Sequence, residues 1–299
     1  MKVLVALGGN AIAVRGAPLT VGRQVERVRV AAEALAELAD EVEALVVTHG
    51  NGPQVGWLSE RSEGWPLDVI GAETEGMIGY WIERELRNRL PERSIATLLT
   101  QVEVDAEDPA FLAPSKPIGP ILSRDALPSD PLEGSGGPPR FVEEGDGVRR
   151  VVASPRPRAI VELAAIECLV RDGHLVVCAG GGGIPVVREP DGRFRGVDAV
   201  VDKDRVAALL AEALECDGLL LLTDVAGVYD EWPATAEGPI EEATSTALAA
   251  RSFAPGSMGP KVESACRFAG RAGRFAAIGA LEDAAAILRG EAGTRILPG

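Results

Sequence analysis

A chain of 299 residues, 46% hydrophobic and 25% charged, has enough apolar material for one large α/β domain or two modest ones. Its formal net charge of −15 excludes the basic face that nucleic-acid binding calls for, and two histidines, His49 and His174, are too few for a histidine-based metal centre. The opening apolar run is too short for a signal peptide and no stretch reaches membrane-spanning length, so the expected location is the cytoplasm, with no membrane and no nucleic-acid partner. Cys168, Cys178, Cys216 and Cys266 form no Cys-x-x-Cys pair, which predicts reduced thiols rather than a disulfide framework or a zinc site.

Along the chain, short β-type runs alternate with longer helical patterns. The periodicity predicts a strand over 2–7, a helix over 20–39, a strand over 44–48, a helix over 72–89 and a strand over 95–102. A Pro/Gly/Ser-rich stretch, 126–139, and a hairpin over 141–152 with an Asp-Gly turn follow, and together they predict a flap, about 123–152, inserted into the main domain. Beyond it come a helix over 158–171, a strand over 174–179 and a second Asp-Gly hairpin over 186–195. A helix over 204–214, a strand over 218–223, a helix over 260–269 and a strand over 276–279 complete the pattern. Alternation of this kind predicts a mainly parallel sheet covered on both faces.

Of the 30 basic residues only four are lysine. Lys2 follows the initial Met, but Lys116, Lys203 and Lys261 stand in Lys-Pro-Ile-Gly-Pro, Val-Asp-Lys-Asp and Gly-Ser-Met-Gly-Pro-Lys-Val. Where a generic surface cation sufficed the chain has Arg, so the retained ammonium groups, compact charges on flexible stems, point to anionic chemistry. Glycine phrases end several predicted strands: Leu7-Gly8-Gly9-Asn10, Thr48-His-Gly50-Asn51-Gly52 and Ala179-Gly180-Gly181-Gly182-Gly183. At the carboxyl ends of parallel strands, backbone of this kind offers N–H donors to a polyphosphate. Neither a Gly-x4-Gly-Lys-Ser/Thr nor a Gly-x-Gly-x-x-Gly spacing occurs, so no P-loop or dinucleotide fold is indicated. In Asp202-Lys203-Asp204, Asp204 is placed to cap a helix, to pair with lysines or to approach a Mg²⁺, and a capped surface helix fits the same phrase. Thr223-Asp224-Val225-Ala226-Gly227-Val228-Tyr229 follows an apolar strand, as the lining of a nucleotide-base pocket or as a plain turn. Tyr80-Trp81 reads as helix core rather than a ligand platform.

Val47-Thr-His-Gly-Asn-Gly-Pro-Gln-Val-Gly56, Gly71-Ala-Glu-Thr-Glu-Gly-Met-Ile-Gly-Tyr-Trp81, Lys116-Pro-Ile-Gly-Pro120, Arg149-Arg-Val-Val152, Val201-Asp-Lys-Asp204 and Gly256-Ser-Met-Gly-Pro-Lys-Val262 together resemble the carbamate kinases of the amino-acid-kinase superfamily, and the match runs nearly the length of the chain. Departures lie in the compressed 123–139 stretch and at Arg156, where the family often has Lys.

The resemblance implies a single α/β domain over 1–299, a three-layer αβα sandwich around the mainly parallel sheet, and a homodimer. It implies phosphoryl transfer between carbamoyl phosphate and ADP with Mg²⁺, in the setting of arginine metabolism. The half over 1–185 would serve carbamate and the phosphoryl group, with Gly8, Gly9, Asn10, Gly50, Asn51 and Gly52 as binding groups. The half over 186–299 would serve the nucleotide, with Ala179 to Gly183, Thr223, Asp224, Val225, Tyr229 and Met258 as neighbours. Lys116, Lys203 and Lys261 would surround the phosphates, Asp204 would hold the lysines, and Mg²⁺ would rest chiefly on phosphate oxygens near Asp204 rather than on dedicated protein ligands. Two rival readings keep the fold: a different small-acid acceptor, or a non-catalytic sensor, whose mark would be a lost lysine.

Overall fold

The computed structural model describes residues 1–13, 18–62, 64–124, 140–230, 238–253 and 258–299. The Pro/Gly/Ser-rich stretch 126–139 lies outside them. The first elements are β1 (Lys2–Leu7), α1 (Gly9–Ile12), α2 (Val21–Glu41), β2 (Ala44–His49), α3 (Gly52–Ser59), α4 (Leu67–Arg89), β3 (Ile95–Thr97) and β4 (Gln101–Val104). There follow β5 (Lys116–Leu122), β6 (Arg140–Glu144), β7 (Gly147–Val152), β8 (Pro157–Ile160), α5 (Leu163–Arg171), β9 (Leu175–Val177), β10 (Ile184–Arg188) and β11 (Phe194–Gly196). The last are α6 (Lys203–Ala213), β12 (Gly218–Thr223), β13 (Glu242–Thr244), α7 (Ser245–Ala249), α8 (Met258–Ala269), β14 (Phe275–Ala280), α9 (Ala284–Arg289) and β15 (Thr294–Leu297).

Eight strands among the described residues form one sheet in the order β13-β15-β14-β12-β1-β2-β9-β3, parallel except where β15 meets β14. Successive side chains of a strand point to opposite faces, and here both faces are buried. Leu4, Ala6, Val46, Leu219 and Leu221 pack against α5, α6 and α8, while Val3, Val5, Leu7, Val47 and Leu220 pack against α2, α4 and α9. That is the expected three-layer sandwich. Trp81 is buried in the second of these layers, but Tyr80 is 56% exposed, so the expectation of a core pair holds for one ring only.

Local pattern misleads at two places. The apolar run over 95–102 is two strands: β3 ends the large sheet, and β4 passes into a second sheet, β11-β10-β4-β8. The stretch over 158–171 is not one helix, because Pro157–Ile160 pairs antiparallel with β4 before α5 begins. Both carboxylate oxygens of Glu162 accept hydrogen bonds from Gln101, one from the backbone amide at 2.6 Å and one from the side-chain amide at 2.9 Å, and this tie to β4 outweighs helix propensity.

The flap is a three-stranded sheet, β5-β7-β6, and therefore starts with Lys116 rather than near 123. Its hairpin turn is Gly145-Asp146, one residue earlier than the expected Asp-Gly, with Gly145 at φ 58°, as a turn with glycine first requires. The second hairpin turns through Asp191-Gly192 as expected, with Gly192 at φ 86°. The flap packs on α3 where Gly56 meets Gly119 backbone to backbone.

Candidate active site

Because β9, β2, β1 and β12 are parallel neighbours, their carboxyl ends share one edge of the sheet, and the glycine phrases and Thr223-Asp224 emerge there side by side. The ladder continues into the loops: the Gly8 amide donates to the Leu222 carbonyl at 2.8 Å, and the Gly50 amide to the Leu7 carbonyl at 2.9 Å. A Cβ on Gly50 would stand 2.7 Å from the backbone nitrogen of Gly9, so only glycine lets the first two loops touch. Gly9 then opens α1, in which Asn10 follows, and Gly52 opens α3. Asn51 is buried, its side-chain amide donating to Thr74 Oγ1 at 2.8 Å.

Lys116, Lys203 and Lys261 meet at the start of α6, beside this edge. Asp202 is the N-cap: its Oδ1 accepts from the amides of Asp204, at 3.0 Å, and Arg205, at 3.2 Å. Capping therefore falls to Asp202 and not to Asp204, and the other Asp202 oxygen takes Lys116 Nζ of the flap at 2.7 Å. Asp204, freed from capping, receives Lys203 Nζ at 2.5 Å on Oδ1 and Lys261 Nζ at 2.9 Å on Oδ2. Lys203 and Asp204 are buried, so the phrase is not a capped surface helix. Burial raises the cost of charge on Asp204, but Lys203 and Lys261 overcome it and hold its carboxyl well below the usual range. Burial also opposes charge on both lysines; it prevails at Lys203, whereas Asp204, Asp202 and Asp224 outweigh it at Lys261. Three ammonium groups are thus gathered on two neighbouring carboxylates, where an arriving anion can draw on them. Lys2 lies apart, donating to the Leu214 carbonyl.

On the other flank Thr223 Oγ1 donates to the exposed Asp224 at 3.1 Å, and Val225 and Tyr229 are half-buried. Met258 opens α8 three residues before Lys261 and packs against the core. The Ala179–Gly183 loop departs from the expectation of a phosphate cradle. Four of its five amides donate inside the protein: Ala179 to Thr100 Oγ1, Gly180 to Glu75, Gly182 to the Ala179 carbonyl and Gly183 to the Gly180 carbonyl. Among the described residues only the Gly181 amide of this loop has no such acceptor, which leaves it for a ligand.

The sequence reading missed the buried polar groups behind this loop: Thr48, His49, Glu75 and Thr100. Their signal was present, since Glu75 is an acid on the inward face of a helix and His49 sits within a quoted phrase. Burial pushes Glu75 up to about 8 and His49 down to about 4, so both are neutral at pH 7. For Glu75 the folded state binds more protons than the unfolded chain between about 4.5 and 8, so stability falls as pH rises through that window. For His49 the unfolded chain binds more between about 4 and 6.5, so stability rises with pH there. Of the two, only the Glu75 slope survives above pH 6.5, and the urea midpoint is expected to drop from pH 6.5 to 8; a midpoint that rises over that range would contradict the assignment.

Among the described residues no three His, Cys, Asp or Glu side chains converge as a metal cage. The class that this sheet edge defines is that of phosphoryl-transfer enzymes, in which positioning and charge neutralisation do most of the chemistry. The amino acid kinase family profile matches residues 1–279. Carbamate kinase of Rhizobium meliloti is 49% identical, with 99% of this chain and 93% of that protein covered. Carbamate kinase of Haemophilus influenzae is 45% identical, with 99% and 96% covered. The structure of carbamate kinase from Giardia lamblia bound to AMP-PNP matches with a TM-score of 0.89 at 35% identity, covering 100% of this chain and 98% of that one. This chain belongs to the amino acid kinase family, among its carbamate kinases.

Proposed function

We propose that this protein moves a phosphoryl group reversibly between carbamoyl phosphate and ADP, yielding ATP and carbamate, which breaks down to ammonia and CO₂. The observation that carries the reading is the cation cluster: Lys203 and Lys261 on the two oxygens of Asp204, with Lys116 on the adjacent Asp202. In this reading Gly8, Gly9, Asn10, Gly50, Asn51 and Gly52 receive carbamate and the group in transfer. Lys116, Lys203 and Lys261 release their carboxylates to follow charge as it shifts between donor and acceptor oxygens, and Asp204 keeps two of them in reach. Carbamate is already an oxyanion, so no general base is required, which suits a site whose one nearby histidine is neutral, buried and held against the Gly50 carbonyl. The nucleotide lies over the C-terminal half beside Thr223, Asp224, Val225, Tyr229 and Met258, with the Ala179–Gly183 loop as support beneath.

Mg²⁺ would be held by the nucleotide phosphates and would offset their charge. Asp202 and Asp204 already carry lysines, so the residues fit a cation held chiefly by phosphate oxygens and water. The same reading includes a homodimer in the cytoplasm and net flux toward ATP, since carbamoyl phosphate is a reactive acyl phosphate and carbamate decomposes. A role in arginine breakdown follows if that route supplies the carbamoyl phosphate.

The test is ATP formation by the purified protein from ADP, Mg²⁺ and carbamoyl phosphate, with acetyl phosphate as the control donor. Rapid ATP formation from carbamoyl phosphate, with acetyl phosphate far slower, is the expected result. No ATP from a folded protein that binds ADP would refute the assignment.

A further inference from the structure

The Ala179–Gly183 loop joins the two halves of the site. Its backbone is left-handed at Ala179, φ 51° and ψ 35°, and at Gly181 to Gly183, φ 70°, 96° and 74°. It has almost no side-chain bulk, and its neighbours fill that space. A Cβ on Gly181 would stand 2.0 Å from the side-chain nitrogen of Asn51, and one on Gly182 would stand 2.5 Å from the Val201 carbonyl and 3.2 Å from the Lys203 amide. Any shift of the loop therefore moves both Asn51 and the start of α6.

A left-handed alanine followed by glycines has no preference of its own for this shape, so the surroundings must impose it. Thr100 Oγ1 accepts from the Ala179 amide at 2.9 Å, and Thr48 Oγ1 donates to the Ala179 carbonyl at 2.7 Å. Glu75, reaching in from α4, accepts from the Gly180 amide at 2.9 Å and from the Thr100 amide at 3.3 Å. It thus grips the loop and the residue that grips the loop. Glu75 is 1% exposed, and among the described residues no Lys or Arg forms an ion pair with it. The titratable groups around it are His49 of β2, Cys178 after β9 and Glu162 before α5, with Lys203 of α6 acting on His49. None supplies a counter-charge, so the carboxyl is held as a neutral acid whose oxygens serve the two amides.

We propose that Glu75 is a positioning residue of the phosphoryl-transfer site: its carboxyl sets the Ala179–Gly183 loop, which in turn sets Asn51 on one side and Lys203 with Asp204 on the other. The inference rests on the reading of the site given above. It concerns turnover, because the residues that meet the loop, Asn51 and Lys203, are those placed around the group in transfer. Ionisation at alkaline pH keeps the acceptor but adds an uncompensated negative charge behind a site for anions, so kcat is expected to fall there.

Glu75→Leu and Glu75→Gln separate the roles. The leucine variant leaves the Gly180 amide without the Glu75 acceptor, and its kcat is expected to fall about 100-fold. The glutamine variant keeps a carbonyl oxygen for Gly180 and is expected to regain most of the lost kcat, while the alkaline limb of the wild-type kcat profile near pH 8 disappears. Hydrogen exchange at the Gly180 amide is expected to be fast in Glu75→Leu and slow in the other two proteins, whatever the activity. A wild-type kcat in Glu75→Leu, unchanged Gly180 protection there, or an unshifted alkaline limb in Glu75→Gln would each overturn the proposal. If Glu75→Leu does not fold, the glutamine pH profile decides alone. Absence of ATP formation by the wild type would instead overturn the carbamate kinase reading, with the exchange result still reporting on Glu75.

Discussion

Lys203→Ala is expected to lower ATP formation from carbamoyl phosphate by about 10²- to 10³-fold in a protein that still folds. The ammonium is buried and 2.5 Å from Asp204 Oδ1, so in the proposed reading it would meet a substrate phosphate away from water, where its charge counts far more than at a surface. The fold survives because Lys261 still faces Asp204 from 2.9 Å and no carboxylate is left without a cation. Lys203→Arg is expected to restore little, since a planar fork does not fit where a buried point charge sits 2.5 Å from its partner. Lys261→Ala should act in the same direction, and the double variant should fall short of the sum of the two losses, because both lysines act through Asp204. Single-turnover rates with circular dichroism on each variant decide the matter. A Lys203→Ala enzyme within a few-fold of wild type would remove this lysine from the mechanism.

Gly56→Ala should lower stability by about 3 kcal/mol, the upper range for forcing one extra carbon into a filled space. The added Cβ would stand 2.0 Å from Gly119 Cα and 2.1 Å from its nitrogen, and a backbone cannot swing aside as a side chain can. The relief available is separation of α3 from β5, which also draws Lys116 away from Asp202, so a raised KM for carbamoyl phosphate should accompany the lower thermal midpoint. Gly71→Ala provides the contrast. A Cβ there meets nothing within 4 Å inside α4, and better helix propensity should stabilise the protein by up to about 1 kcal/mol. Equal midpoints for the two variants would show that α3 and the flap do not pack as described.

How much was legible varied with how local the cause was. Strands such as Gly218–Thr223 are apolar on both faces because helices cover both, and this is written in consecutive residues. The lysines were legible through contrast with arginine, and the glycine phrases through composition. Illegible were the sheet change after Ile95–Thr97, which no Gly or Pro marks, and the exchange of roles between Asp202 and Asp204, which are two residues apart and chemically alike. Helix geometry at the start of α6 decides that one carboxylate turns back to cap while the other turns inward to the lysines. The tetraglycine phrase was over-read, because glycine serves equally to expose amides to a ligand and to let neighbouring groups approach the backbone.

Residue order along the chain was enough for the layered α/β fold, the sheet edge where the glycine phrases emerge and the lysines gathered beside it, since each follows from periodicity or from chemistry within a few neighbours. The assembly of the site was settled only by packing across the molecule. Lys116 reaches Asp202 over 86 positions, Lys261 reaches Asp204 over 57, and Glu75 reaches Gly180 over 105. Parallel pairing brings the strand ends to a common edge, and burial then makes each of these charges and hydrogen bonds count; neither pairing nor burial is a property of any short stretch of sequence.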